Sequence, residues 1–127
     1  MKTPYTFLLA MVLGWTLQAQ TVPVTFSVDM NNETVVDTVG VHVAGNFQGW
    51  DPAATVMTDD DMDGVYTVTV DVSDTLGLVE YKFINGDAWG ADEAAPEACA
   101  WNGGTNCYFE LSGETALDTV CFGQCGA

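Results

Sequence analysis

Basic residues are almost missing from this chain. It has two Lys and Arg residues against 18 Asp and Glu, for a formal net charge of −16. Both cations are lysines, Lys2 and Lys82. Gripping a phosphate backbone takes cations, so nucleic acid is excluded as a partner. An anionic membrane surface is excluded on the same ground. Histidine is nearly as scarce, with His42 alone. No Ser or Cys forms a recognisable nucleophile constellation around it, and the chain is read as non-catalytic. Carboxylates are plentiful, but a glycosidase needs them paired across a deep cleft, which one small sandwich rarely builds. Convincing helical periodicity, internal repeats, low-complexity linkers and a second domain are also missing. What is abundant is apolar content, 48%. A chain this apolar folds, and its acidity reads as solubility in a salty or calcium-rich exterior.

The first residues read as a leader. Lys2 supplies a positive start, and Phe7 to Leu17 is an apolar run of signal-peptide length. That run is too short to span a membrane. Leu17-Gln18-Ala19 reads as the cleavage site. The expectation is a signal peptide over residues 1–19 and one domain over residues 20–127, secreted or at the cell surface, with no membrane insertion after cleavage. Cysteine usage agrees with export. Cys99, Cys107, Cys121 and Cys125 all fall in the last quarter, an even count in an exported chain. Three connectivities are open. A hairpin at Ser112-Gly113 would set Cys107 roughly opposite residues 118–121. That mildly favours Cys107 with Cys121 and Cys99 with Cys125. Zinc is disfavoured, because the spacing is wrong and no His lies nearby.

Apolar residues alternate with period two between turn residues. Strands are expected over residues 22–28, 39–44, 55–58, 65–72, 78–84, 106–111 and 117–122. About seven short strands separated by frequent turns predict an all-β fold, an antiparallel immunoglobulin-like β-sandwich. Val24, Phe26 and Val28 share one face of the first strand. Tyr66, Val68, Val70 and Val72 share one face of the fourth. In the fifth, Val79, Tyr81 and Phe83 point to the core, and Glu80, Lys82 and Ile84 point outward. His42 alternates with the core-directed Val41 and Val43, so it faces outward or to the other side of its sheet.

Two tryptophans stand in turn-forming sequence. Trp50 closes Gly45-Asn46-Phe47-Gln48-Gly49-Trp50, and Trp89 lies in Asn85-Gly86-Asp87-Ala88-Trp89-Gly90. Their neighbours have the chemistry of exposed turns. Lys82 projects between them. An indole face packs on the C–H patch of a pyranose while its N–H stays free for a hydroxyl. A lysine adds a long, adaptable donor. Two aromatic faces and one donor suit a polar, ring-shaped ligand. The competing reading is that the tryptophans cap the core and Lys82 pairs with one of the many acids. Trp101 is either a third platform or packs over the disulfides, and packing is favoured. Asp59, Asp61 and Asp63 have the D-x-D-x-D-G spacing of a calcium loop. The twelfth position is Val70, so this is no EF-hand. Either a looser calcium site or a plain acidic hairpin loop remains. No cofactor is required beyond that possible ion.

Val41-His42-Val43-Ala44-Gly45-Asn46-Phe47-Gln48-Gly49-Trp50-Asp51-Pro52 resembles the G-x-F-x-x-W segment of glycogen- and starch-binding modules. These include the glycogen-binding domain of the AMP-activated kinase β subunit and modules of branching enzymes. Asp63-Gly64-Val65-Tyr66, then Glu80-Tyr81-Lys82-Phe83, Asn85-Gly86 and Trp89, resemble the continuation of that pattern. The match covers about residues 39–96, with Asn85-Gly86 one residue early. The chain also looks like secreted modules of Bacteroidetes bacteria, which are often attached to other secreted or surface proteins. Ala98 to Gly104 departs as a cysteine-bearing insertion. The resemblance implies a non-catalytic module for α-glucan such as starch or glycogen. Trp50 and Trp89 would stack on glucose, and Lys82 and Asn106 would hydrogen-bond its hydroxyls. Two platforms at an angle suit a curved α-1,4-glucan better than a flat β-glucan. The alternative is a structural or adhesive surface module that keeps the scaffold without glucan affinity.

Overall fold

The computed structural model describes Gly14 and residues 20–126. The proposed leader and its cleavage site lie outside the described residues. The strands are β1 Thr21–Asp29, β2 Val41–Gly45, β3 Val56–Met57, β4 Val65–Ser73, β5 Leu78–Asn85, β6 Cys107–Glu110, β7 Thr115–Ala116 and β8 Val120–Cys121. They form two four-stranded sheets. One runs β4-β1-β7 with β8 also on β1, and the other runs β3-β2-β5-β6. The expected all-β sandwich is the architecture found. No described helix is long and apolar enough to cross a membrane.

Period-two patterning builds the core. Val24, Phe26 and Val28 of β1 are fully buried and meet Val41, Val43, Val79 and Phe83 of the facing sheet. Phe26 is the hub. Phe47, Tyr81 and Phe109 surround its ring with centroids 5.1, 5.1 and 6.4 Å away. Such aromatic pairs contribute about 0.5–1.5 kcal/mol each beyond area burial. Phe47 matters for position, because it lies in the turn that leads to Trp50. Its ring is the inward anchor of that turn.

The C-terminal third departs from expectation. β6 is antiparallel to β5, with Tyr81 opposite Cys107. After β6 the chain does not fold back as a hairpin. It crosses to the other sheet, where β7 and β8 pair in parallel with β1. Cys121 therefore lies opposite Asp29 and not beside Cys107. Cys99 and Cys125 form the expected disulfide. Cys107 and Cys121 are buried free thiols, which corrects the expected second bridge. The correction follows from the sheet switch, which removes the hairpin that was to bring them together. Outside the strands, Trp101–Gly103 forms one short 3-10 turn.

Candidate functional site

The Trp50 turn begins where β2 runs past β5. Gly45 lies opposite Tyr81 in the ladder, and an added Cβ would collide with the Glu80 carbonyl and the Phe47 ring. Only glycine permits that approach. The Gln48 side chain then closes the turn, accepting from Asp51 N–H and donating to Asp51 O, both at 2.7 Å. Trp50 N–H donates to Gly45 O at 3.0 Å. Trp50 itself sits at φ +59°. A bulky residue in the left-handed region is an outlier, and it costs of order 1–3 kcal/mol. Phe47 and Trp50 thus divide the turn between them, one ring in the core and one partly exposed.

The Trp89 turn is held by two carboxamide and carboxylate clamps. Asn85 accepts from Asp37 N–H and donates to Val35 O, both at 2.8 Å. Asp92 pairs across from Ile84. Its Oδ1 accepts from Gly90 N–H at 2.9 Å, and its Oδ2 accepts from Lys82 Nζ at 2.8 Å. Trp89, one residue before Gly90, is 48% exposed. The Trp50 and Trp89 rings lie 6.4 Å apart with planes tilted by 46°. The sequence-expected tryptophans are therefore neighbours, with inclined faces.

Lys82 lies on the outward register of β5, as expected, but its side chain is only 12% exposed. Asp92 takes one of its three N–H protons. The Lys82 ammonium, helped by Gly90 N–H, holds the Asp92 carboxyl below its ordinary range. Asn106 stands at the entry to β6, half-buried, with Nδ2 3.4 Å from Glu80 Oε1. Glu80 is two residues from Lys82 on the same outward face, and its backbone N–H donates to Asn46 Oδ1 at 3.1 Å. The Trp50 and Trp89 turns leave opposite ends of the β2-β5 ladder, but their rings meet, and Lys82 and Asn106 lie on the outward register of the same sheet.

Sequence reasoning left Lys82's partner unspecified among the acids. It also missed Glu93. That carboxylate is buried and accepts from Phe83 N–H (3.1 Å), Gly123 N–H (2.7 Å) and the Cys107 thiol (3.3 Å). Burial pushes the Glu93 carboxyl up, against those three donors. Burial, and then Glu93 itself, push the Cys107 thiol up, so this sulfur is no nucleophile at neutral pH. His42 is buried, between Val56 and Ile84 in the ladder. Its Nδ1 has no hydrogen-bond partner among the described residues.

The acidic loop lies apart, between β3 and β4. One oxygen from each of Asp59, Asp61 and Asp63 lies within 4.8 Å of the others. Asp59 is already engaged as the cap of its loop, accepting from Asp63 N–H (3.1 Å) and Gly64 N–H (2.9 Å). Desolvation pushes the Asp59 carboxyl up, but those N–H groups outweigh it and the net shift is down. Asp61 shifts up, chiefly through its proton-sharing contact with Asp63. A recess of about 270 Å³ opens beside Asp60, Asp61 and Asp63. An all-oxygen donor set of this kind fits a hard divalent cation.

No protein-family model matches the chain, and no curated protein matches it.

Proposed function

We propose that this chain is a non-catalytic, secreted carbohydrate-binding module for α-glucan of the starch or glycogen type. The observation that carries the reading is the Trp50–Trp89 pair, two inclined rings 6.4 Å apart on glycine-rich turns. Trp50 holds a costly backbone conformation there, at φ +59°. Strained conformations persist where the surroundings over-determine them, and they cluster at ligand sites. Inclined platforms follow the curvature of an α-1,4-linked chain. Lys82 is held in place by Asp92 with N–H protons to spare, and Asn106 supplies a carboxamide on the same face. With an open surface and few contacts, affinity is low for short sugars. Glucan is thus the partner, with attachment to other secreted or surface proteins as the setting.

The test is migration in a native gel cast with amylopectin. Wild type is retarded, and Trp50→Ala with Trp89→Ala restores free migration. Folded wild type that runs unretarded removes the glucan reading.

One observation favours a second reading, a structural or adhesive surface module without glucan binding. The Lys82 ammonium is largely covered and already paired with Asp92. The disulfide, and calcium at Asp59, Asp61 and Asp63, would then be the working parts. A ligand that binds only the folded state raises the thermal midpoint. Equal midpoints in calcium and in chelator remove the metal from this reading.

A further inference from the structure

A second aromatic pair lies on the same sheet face and is not accounted for by packing. Tyr108 alternates with Cys107 and Phe109, which face the core, so it points outward from β6. The Trp101 ring lies 5.0 Å from it, with planes inclined by 60°. Trp101 is 39% exposed and Tyr108 42%. Large aromatic rings meant only to seal a disulfide would be buried over it, and these are not. Their position is also fixed. The Cys99–Cys125 bridge closes the base of the loop, and Trp101 N–H donates to the carbonyl of Asn106 at 3.0 Å. Gly104 N–H donates back to Trp101 O at 2.8 Å.

The ladder links Tyr108 to Lys82. Tyr108 lies opposite Glu80, and Lys82 is the next outward residue along β5. Diagonal neighbours on one sheet face stand about 7–8 Å apart. From Lys82, Asp92 leads directly to the Trp89 turn. Between the two aromatic pairs lies a polar strip of Asn106, Glu80, Lys82 and Asp92. This pattern of aromatic ends around hydrogen-bonding groups differs from the contiguous apolar patch of a protein interface. The single cation on the strip is paired, and the surface is strongly acidic, so an anionic chain is repelled.

We propose that Trp101 and Tyr108 form a second sugar platform that extends the Trp50–Trp89 site across β5 and selects long, neutral glucan chains over short oligosaccharides. The proposal rests on the α-glucan reading above. A short sugar occupies the Trp50–Trp89 end alone. A longer chain crosses the polar strip and gains the second stacking contact.

Isothermal titration with maltotriose and maltoheptaose tests it, on wild type and on Trp101→Ala with Tyr108→Ala. Wild type binds maltoheptaose more tightly. The double variant binds maltoheptaose about three- to tenfold more weakly, the scale of one aromatic contact, and binds maltotriose as wild type does. Trp101→Phe retains most of the long-chain advantage. Unchanged maltoheptaose affinity in the double variant overturns the second platform alone. Equal losses for both sugars overturn it too, because they report a general disturbance of the site. Wild type that binds neither sugar overturns the α-glucan reading itself, and the extension with it.

Discussion

Asp92 grips Lys82 with one carboxylate oxygen and the Trp89 turn with the other. The 2.8 Å ion pair and the 2.9 Å bond from Gly90 N–H share a single side chain. The placement of one aromatic ring is thereby coupled to the only cation on the described surface.

Asp92→Asn should separate these tasks. The amide still accepts from Gly90 N–H but no longer attracts the ammonium. A loss of about 1 kcal/mol is expected, or a fall in midpoint of roughly 4–8 °C. The pH dependence has a definite sign. The Asp92 carboxyl is lowered below its ordinary 3.8 in the folded chain. Its contribution is therefore complete above that ordinary value and disappears as pH falls through the folded one. Thermal midpoints of wild type and Asp92→Asn should converge below that window. A gap that persists at the acid end contradicts the ion-pair account.

Trp50 offers a test of stored strain. At φ +59° it occupies a region that glycine enters freely and other L-residues do not. Trp50→Gly should therefore be more stable than Trp50→Ala, by about 1 kcal/mol. Both substitutions should abolish retardation by amylopectin. Chemical denaturation of the two variants decides this, and a less stable glycine variant would show that the backbone carries no strain.

The strand faces were largely legible in the sequence because a buried face repeats every second residue, although Ile84, expected outward beside Lys82, is fully buried. Val24, Phe26 and Val28, and again Val79, Tyr81 and Phe83, are where alternation places them. The tryptophan turns were legible from Gly, Asn and Asp alone. Pairing partners were not. Ser112-Gly113 has hairpin chemistry, yet β7 and β8 join β1 in parallel in the other sheet. Local periodicity carries no record of which distant edge a strand will meet. The same limit hid Asp92 among the acids, because its selection depends on the Ile84–Asp92 bridge. It also hid Glu93, whose donors come from Phe83, Cys107 and Gly123 on separate segments.

Glu93 should show the opposite pH behaviour from Asp92. Burial raises its carboxyl above the ordinary 4.5 in the folded chain. Its contribution is thus fully present below that ordinary value and is lost as pH rises through the folded one. Glu93→Gln keeps an acceptor and removes the titration, so its midpoint should vary less with pH across this window than that of wild type. Glu93→Ala leaves the Phe83 and Gly123 N–H groups without their acceptor. A cost of about 2–3 kcal/mol is expected. Midpoints measured from pH 4 upward test both, and an unaltered pH profile in Glu93→Gln would remove Glu93 as the source.

Cys99–Cys125 closes a loop with a sequence separation of 26, which corresponds to about 3.5 kcal/mol in the chain-entropy account. Cys107 and Cys121 are free and buried, with the Cys107 thiol donating to Glu93. Under non-reducing conditions, alkylation of the unfolded chain followed by peptide mapping should label Cys107 and Cys121 and recover Cys99 linked to Cys125. Cys99→Ser with Cys125→Ser should lower the midpoint substantially. It should also weaken binding of long glucans more than short ones, because the bridge anchors the loop that carries Trp101. Cys107→Ala should leave that length dependence intact, since its thiol faces the interior. A mapped Cys107–Cys121 bond would overturn the assignment of both as free thiols.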